Sequence, residues 1–175
     1  MGCIFIGVFM MPGAVRRFGK KKVYISGLMI WVAGDLLNYF FGGGSVSFVA
    51  FSCLAFFGSA FVNSLNWALV PDTVDYGEWK TGVRSSGMNF AFNLFFIKLA
   101  WASSAGIISL VFIYVAYQPG AANQTASSLA GISSMETLLP ALFHLLLAFS
   151  IRACKLNNPM MARIATDLRA RHVSS

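Results

Sequence analysis

Apolar residues run through this chain in long blocks separated by short polar breaks, and the blocks themselves predict the elements. Five segments stand out, at about 1–15, 23–41, 46–70, 88–117 and 137–153. Several match or approach the ~20 residues needed to cross a hydrocarbon core. Their few polar residues are widely spaced and lack the alternation of barrel strands, so each segment is predicted to be a helix, which satisfies its own backbone hydrogen bonds in lipid. The first run is short for a full span. The pattern therefore predicts an all-α integral membrane protein with about four full transmembrane helices and a partial first one over residues 1–153. A basic tail follows at 154–175. The polar stretch PDTVDYGEWKTGVRSSG, residues 71–87, is predicted to be a loop between the third and fourth helices.

Composition agrees with this picture. The chain is 57% hydrophobic and 11% charged, against about 25% charged in ordinary soluble domains. A net charge of +7 could suggest nucleic acid, but the basic residues sit at the ends of apolar runs, and no nucleic-acid partner is expected. If the segments alternate across the bilayer, Arg16, Arg17, Lys20, Lys21, Lys22, Lys80, Arg84, Arg152, Lys155, Arg163, Arg169 and Arg171 share one face. The opposite connections, 42–45 and 118–134, carry no lysine or arginine. The positive-inside rule makes the basic face cytoplasmic, which places residues 71–87 and the C-terminus in the cytoplasm of a multi-pass protein of the cytoplasmic (inner) membrane. The N-terminal charge follows the apolar run, unlike that of a secretory signal, and Ile6 lacks the hydroxyl of a myristoylation motif.

Two charges fall inside the spans. Lys98 lies ten residues into the fourth segment, roughly 15 Å deep, and Asp35 lies at a similar depth in the second. A charge at the bilayer centre costs at least about 2.5–3.5 kcal/mol, so each needs a cavity or a partner, and each is a candidate substrate or coupling residue. A Lys98–Asp35 ion pair that only ties helices together is the plainer alternative. His144 reads as a packed or interfacial histidine before a proton relay. Asn63, Asn66, Asn89 and Asn93 either line a path or bond between helices, and Gly58-Ser59-Ala60, like Ser103, Ser104 and Gly106, suit close helix approach. Trp31 and Trp101 are expected to pack, and Trp67 and Trp79 to belong to an interfacial aromatic belt. Asn123-Gln124-Thr125 matches a glycosylation sequon, a short and unspecific pattern.

Enzyme chemistry finds little support. Phosphate-loop, dinucleotide, zinc-protease and nucleophile-elbow motifs are all missing from the sequence. Cys3, Cys53 and Cys154 have no metal spacing, so no catalytic residue, metal site or cofactor is expected. Asp75 and Glu78, three apart on a helix, imitate a carboxylate pair, yet they stand beside Lys80 and Arg84 at a membrane surface. That arrangement suits a charge latch instead. Asp72, Asp75 and Glu78 can pair with Lys80, Arg84 or the basic RRFGKKK connection at 16–22, although exposed pairs contribute less than about 1 kcal/mol each.

WALVPDTVDYGEWKTGVR, residues 67–84, closely resembles the cytoplasmic signature between helices ten and eleven of the glycoside-pentoside-hexuronide:cation symporters, the melibiose and glucuronide carrier branch of the major facilitator superfamily. RRFGKKKVY at 16–24 is similar to that family's connection between helices eight and nine. FGSAFVNSLNWALVPDTVDYGEWKTG looks nearest to its sulfoquinovose importers. The resemblance implies twelve-helix carriers importing sugars or glycosides with Na+ or H+, of which this chain matches the end of helix eight and helices nine to twelve. It carries over Asp72, Asp75, Glu78 and Arg84 as the cytoplasmic motif and Lys98 as the helix-eleven lysine of sugar and cation coupling. Ser86 stands where many relatives carry an acidic residue. The expected activity is sugar:cation symport with membrane lipid, a sugar substrate and an N-terminal half or other helices as partners. Alternating access needs two bundles, so the chain alone is expected not to transport. The alternative is a truncated membrane protein with a structural or interaction role.

Overall fold

A computed structural model describes residues 2–120, 125–153 and 158–174, with the side chains of 158 and 172–174 excepted. The sequon's Asn123 and Gln124, Cys154 and Lys155 lie outside the described residues. Among the described residues the secondary structure is helical: α1 (Gly2–Phe18), α2 (Lys20–Phe41), α3 (Ser45–Thr81), α4 (Ser86–Tyr114), α5 (Ala126–Glu136), α6 (Leu138–Ala153) and α7 (Asn158–Ser174). Four stretches are long and apolar enough to cross a membrane, namely α2, α3, α4 and the α5–α6 pair taken together.

Two boundaries depart from the hydropathy pattern. α3 does not stop at Val70 but runs 37 residues through Pro71 to Thr81, a length of about 55 Å, well beyond the ~30 Å hydrocarbon core. Residues 71–81 are therefore the last turns of a projecting helix rather than a loop. Falling hydropathy marks where lipid ends, whereas Asp, Tyr, Glu, Trp and Lys remain compatible with helix. What stops the helix is Gly82, whose φ of 75° is open to glycine at low cost, with its N–H donating to the Glu78 carbonyl at 2.8 Å. The second departure is α5, which occupies part of the stretch predicted as a connection. It is nearly continuous with α6, broken at Thr137 (φ −120°, ψ −57°). Pro140 explains the break, because its ring clashes with the carbonyl four residues back and removes a donor.

α2 is the centre of the bundle. It packs on α3 and α6, α1 and α7 lie against α3, and α4 touches α3 and α5. Val23, Tyr24 and Leu28 of α2 meet Phe61, Val62 and Leu65 of α3 and Ala148 of α6 in the core. The backbones approach closely at small residues: a Cβ added to Gly34 would lie 2.6 Å from the Ala55 nitrogen, and one on Gly58 2.6 Å from the Trp31 nitrogen. The small residues at 58–60 thus pack as expected. Those of α4 do not, since a Cβ on Gly106 would meet nothing within 4 Å. No residue of α4 is buried.

Candidate functional site

The charged motif gathers at one end of the bundle because α3 carries it past the apolar core on a single helical extension. Asp72, one residue after Pro71, receives Lys20 Nζ at 2.8 and 2.7 Å on its two carboxylate oxygens. The RRFGKKK connection supplies the partner, as one of the sequence alternatives held. Lys20 reaches Asp72 because Gly19 (φ 85°) turns α1 directly into α2. Farther along, Arg84 bonds Glu78 at 2.6 Å and Asp75 at 3.4 Å, folding the connection after Gly82 back onto α3. The Glu78 side chain is 8% exposed. Its hydrogen bond and charge, with a smaller contribution from Asp75, raise the Arg84 pKa above its ordinary value. Lys80, the fifth latch candidate, is exposed on the same turn.

Contacts not foreseen from sequence join this end to other helices. Trp79 Nε1 donates to Asp167 Oδ2 of α7 at 2.9 Å, so its ring makes a specific helix contact. Arg171 donates to the Trp79 carbonyl at 3.2 Å, and Lys21 Nζ donates to the Arg152 carbonyl at 3.0 Å, tying α2 to the end of α6. The connection at 16–22, the end of α3, the end of α6 and α7 therefore share one end, as alternating spans require. The Lys20–Asp72 pair is part-exposed, with 37% and 15% of the two side chains accessible, so its contribution is about 1 kcal/mol or less. A double-mutant cycle of Lys20→Gln and Asp72→Asn, read by unfolding in mixed detergent micelles, is expected to give a coupling of that size that shrinks with added salt. Zero coupling at low salt would remove the latch.

Above this end a cleft of about 640 Å³ opens between α2, α3, α4 and α6. Tyr24, Asn66, Thr73, Asn89 and Asn93 give it polar groups, and Lys20, Lys21 and Asp72 line its mouth. Three of the four asparagines singled out in the sequence thus line it, while Asn63 is exposed away from it. The Oδ1 atom of Asn93 is buried without a hydrogen-bond partner among the described residues.

Lys98 and Asp35 are not brought together. The cleft takes Asn89, Phe92, Asn93 and Phe96 from α4, and at about 100° per residue Lys98 lies nine steps, or half a turn, round from Asn89. It is exposed on the far face of α4, its Nζ 4.7 Å from the Trp101 ring centroid. Lys98 is therefore not among the residues that line this cleft. An aromatic face is a favourable partner for an ammonium that no carboxylate reaches among the described residues. Asp35 is buried, and its neighbour is His144 of α6, Nδ1 to Oδ2 3.5 Å. The sequence treated those two residues separately.

Comparison with known proteins follows the same lines. The family model described as MFS/sugar transport protein matches residues 1–158. A Salmonella typhimurium LT2 protein named as a 2,3-dihydroxypropane-1-sulfonate exporter is 56% identical over 98% of this chain, which covers 37% of that protein. An Escherichia coli K12 protein named as a sulfoquinovose importer is 47% identical over 86% of this chain and 32% of its own length. The Escherichia coli K12 glucuronide carrier protein homolog is 34% identical over 81% of this chain and 31% of its own length. The chain spans about a third of the length of these curated relatives.

Proposed function

The chain belongs to the MFS/sugar transport protein family, and from that membership we propose that it forms part of a carrier moving an anionic, polyhydroxylated solute of the sugar or organosulfonate class across the cytoplasmic membrane. The transport is coupled to a cation, Na+ or H+, and the charged end of the bundle lies in the cytoplasm. The observation that carries this reading is the cleft, which combines amide, phenol and hydroxyl groups with Lys20 and Lys21 at its mouth. Amides and hydroxyls suit a polyol. Ammonium groups suit a sulfonate or carboxylate.

The names of the relatives support the same solute chemistry, since two of them are named for sulfonates. In this reading the latch of Asp72, Asp75, Glu78 and Arg84 holds the cytoplasmic end closed and releases as the bundle rocks. Its test is counterflow in proteoliposomes carrying a chimera of this chain with the preceding two-thirds of the sulfoquinovose importer relative. Labelled sulfoquinovose is expected to exchange at least ~10-fold faster than glucose, which bears a hydroxyl in place of the sulfonate, a difference of about 1.4 kcal/mol. Exchange of neither above empty vesicles would favour a structural role for the chain.

A further inference from the structure

α7 is not among the stretches long and apolar enough to cross a membrane, yet it is held firmly against the bundle. Met161, Ile164, Leu168 and Arg171 follow one another at helical spacing, which puts them on one stripe. Ile164 and Leu168 are 1% and 7% exposed. On the other side of the helix Ala162, Arg163, Ala165, Thr166 and Arg169 are exposed.

α7 packs on α3, and the named contacts fix how it lies. Met161, in its first turn, lines the cleft together with Lys20, Lys21, Asp72 and Thr73. Farther along, Asp167 accepts from Trp79 Nε1 at 2.9 Å, and Arg171 donates to the Trp79 carbonyl at 3.2 Å. Met161 to Asp167 is about 9 Å of helical rise, and Asp72 to Trp79 is about 10.5 Å. Two such nearly equal lengths set α7 alongside the projecting end of α3 and in the same direction, with its first turn at the cleft and its later turns at Trp79.

At the mouth of the cleft Met161 is out of keeping with its surroundings. It is half-buried and apolar beside two lysines and an aspartate. A flexible thioether fills irregular space and offers little to a polar solute, so its effect there is to occupy the opening.

Little holds it in that place. The docking comprises two buried aliphatic side chains, one indole bond to a carboxylate whose side chain is 41% exposed and one exposed bond to a backbone carbonyl. Segments with so few buried contacts open locally at far lower free energy than the whole fold. The docking point is also next to the latch, since Trp79 follows Glu78, the residue that holds Arg84 at 2.6 Å.

We propose that α7 is a strap. Docked along α3, it keeps Met161 in the mouth of the cleft and narrows entry from the charged end of the bundle, and undocked it leaves that mouth open. The narrowing follows from packing, and only its consequence for solute release rests on the transport reading.

The test has two arms. In the first, Cys3, Cys53 and Cys154 are replaced by alanine and a single cysteine is placed at Asn66, which lines the cleft, or at Arg17, exposed at the same end. The chain in lipid vesicles is labelled with a sulfonate-bearing methanethiosulfonate that does not cross bilayers. Leu168→Asp, which puts a charge into the α3 contact, is expected to speed labelling at position 66 at least ~10-fold, as local opening of α7 requires, with labelling at position 17 unchanged. Trp79→Phe keeps the ring but removes the donor and is expected to give a smaller rise in the same direction. Leu168→Met conserves volume and is expected to keep the slow rate. Met161→Ala empties the mouth with α7 still docked and is expected to speed labelling too, and it decides alone if Leu168→Asp fails to insert.

Hydrogen exchange of the α7 backbone reports the docking itself. Labelling at position 66 that is equal in all forms, although Leu168→Asp lets the α7 backbone exchange, overturns the strap. Labelling at position 66 in the unaltered background as fast as at position 17 overturns it as well.

In the second arm the chimera and its Leu168→Asp form are compared by counterflow of labelled sulfoquinovose, and the variant is expected to exchange faster. Equal exchange beside faster labelling removes the strap from solute release. Faster labelling with no exchange in either form leaves the strap and removes the transport reading, whereas exchange in both with labelling unmoved keeps that reading and removes the strap.

Discussion

Gly58→Leu is expected to separate α2 from α3 and to destabilise the bundle more than any substitution of a charged residue. A Cβ at position 58 would lie 2.6 Å from the Trp31 nitrogen, 2.7 Å from the Gly27 carbonyl oxygen and 3.0 Å from the Trp31 Cα. All three are backbone atoms of α2, so no side-chain rotamer relieves the contact. Extra methylenes in a packed core ordinarily cost about 1–3 kcal/mol, and a clash of side chain with helix backbone belongs at or above the top of that range. Unfolding in mixed detergent micelles, with a disulfide between cysteines placed at Asn38 and Ser52 reporting the α2–α3 contact, measures the effect. These two side chains are hydrogen-bonded at 2.9 Å in the intact bundle. Gly106→Leu on the open face of α4 is the matched control and is expected to change stability by less than ~0.5 kcal/mol. Equal behaviour of the two variants would mean that the close approach contributes nothing to the fold.

The consequence of that contact reaches the polar groups. Gly27, Gly34 and Gly58 hold α2 flush against α3, which leaves the opposite side of α2 for α6 and so fixes the direction from which His144 meets Asp35.

How much of this was legible in the sequence follows from what each feature depends on. Helices and spans depend on local hydropathy and backbone satisfaction, so all five apolar blocks reappear, as α1, α2, α3, α4 and α6. Basic residues at one end follow from alternation of those spans. The extension of α3 past Val70 was hidden because hydropathy reports the solvent and not the backbone, and α5 was hidden for the same reason among Ala, Ser and Gly. The Lys20–Asp72 pair was legible as one of several partnerships between two charged connections. Trp79–Asp167 and Asp35–His144 were not, because each joins residues far apart in the chain on helices whose rotation is set by packing. Asp35 carried a signal, a carboxylate inside a span. His144 carried a weaker one, and nothing local linked them. The direction of Lys98 was hidden too, since a helix with apolar residues all round gives no moment from which to read its facing side.

Lys98→Ala is expected to abolish coupled uptake by the chimera, lowering it about 100-fold or more, while membrane insertion is unchanged. Lys98 sits on the far face of α4 from the cleft, beside Trp101, on a helix with no buried residue. Retaining an ammonium at this depth costs about 2.5–3.5 kcal/mol against hydrocarbon, which is the free energy of a factor of roughly 100. Such a residue is retained where water, solute or a carboxylate meets it. In the proposed carrier Lys98 would then meet the solute or its counter-charge outside the cleft of this bundle. Lys98→Arg keeps the charge but replaces a compact ammonium by a planar fork, and is expected to recover part of the rate. Counterflow of labelled sulfoquinovose, with the amount of inserted protein measured in the same vesicles, separates the outcomes. Uptake by the alanine variant equal to that of the unaltered chimera would reduce Lys98 to a packing residue held by Trp101. Loss of uptake with partial return in the arginine variant would place its charge in the transport cycle.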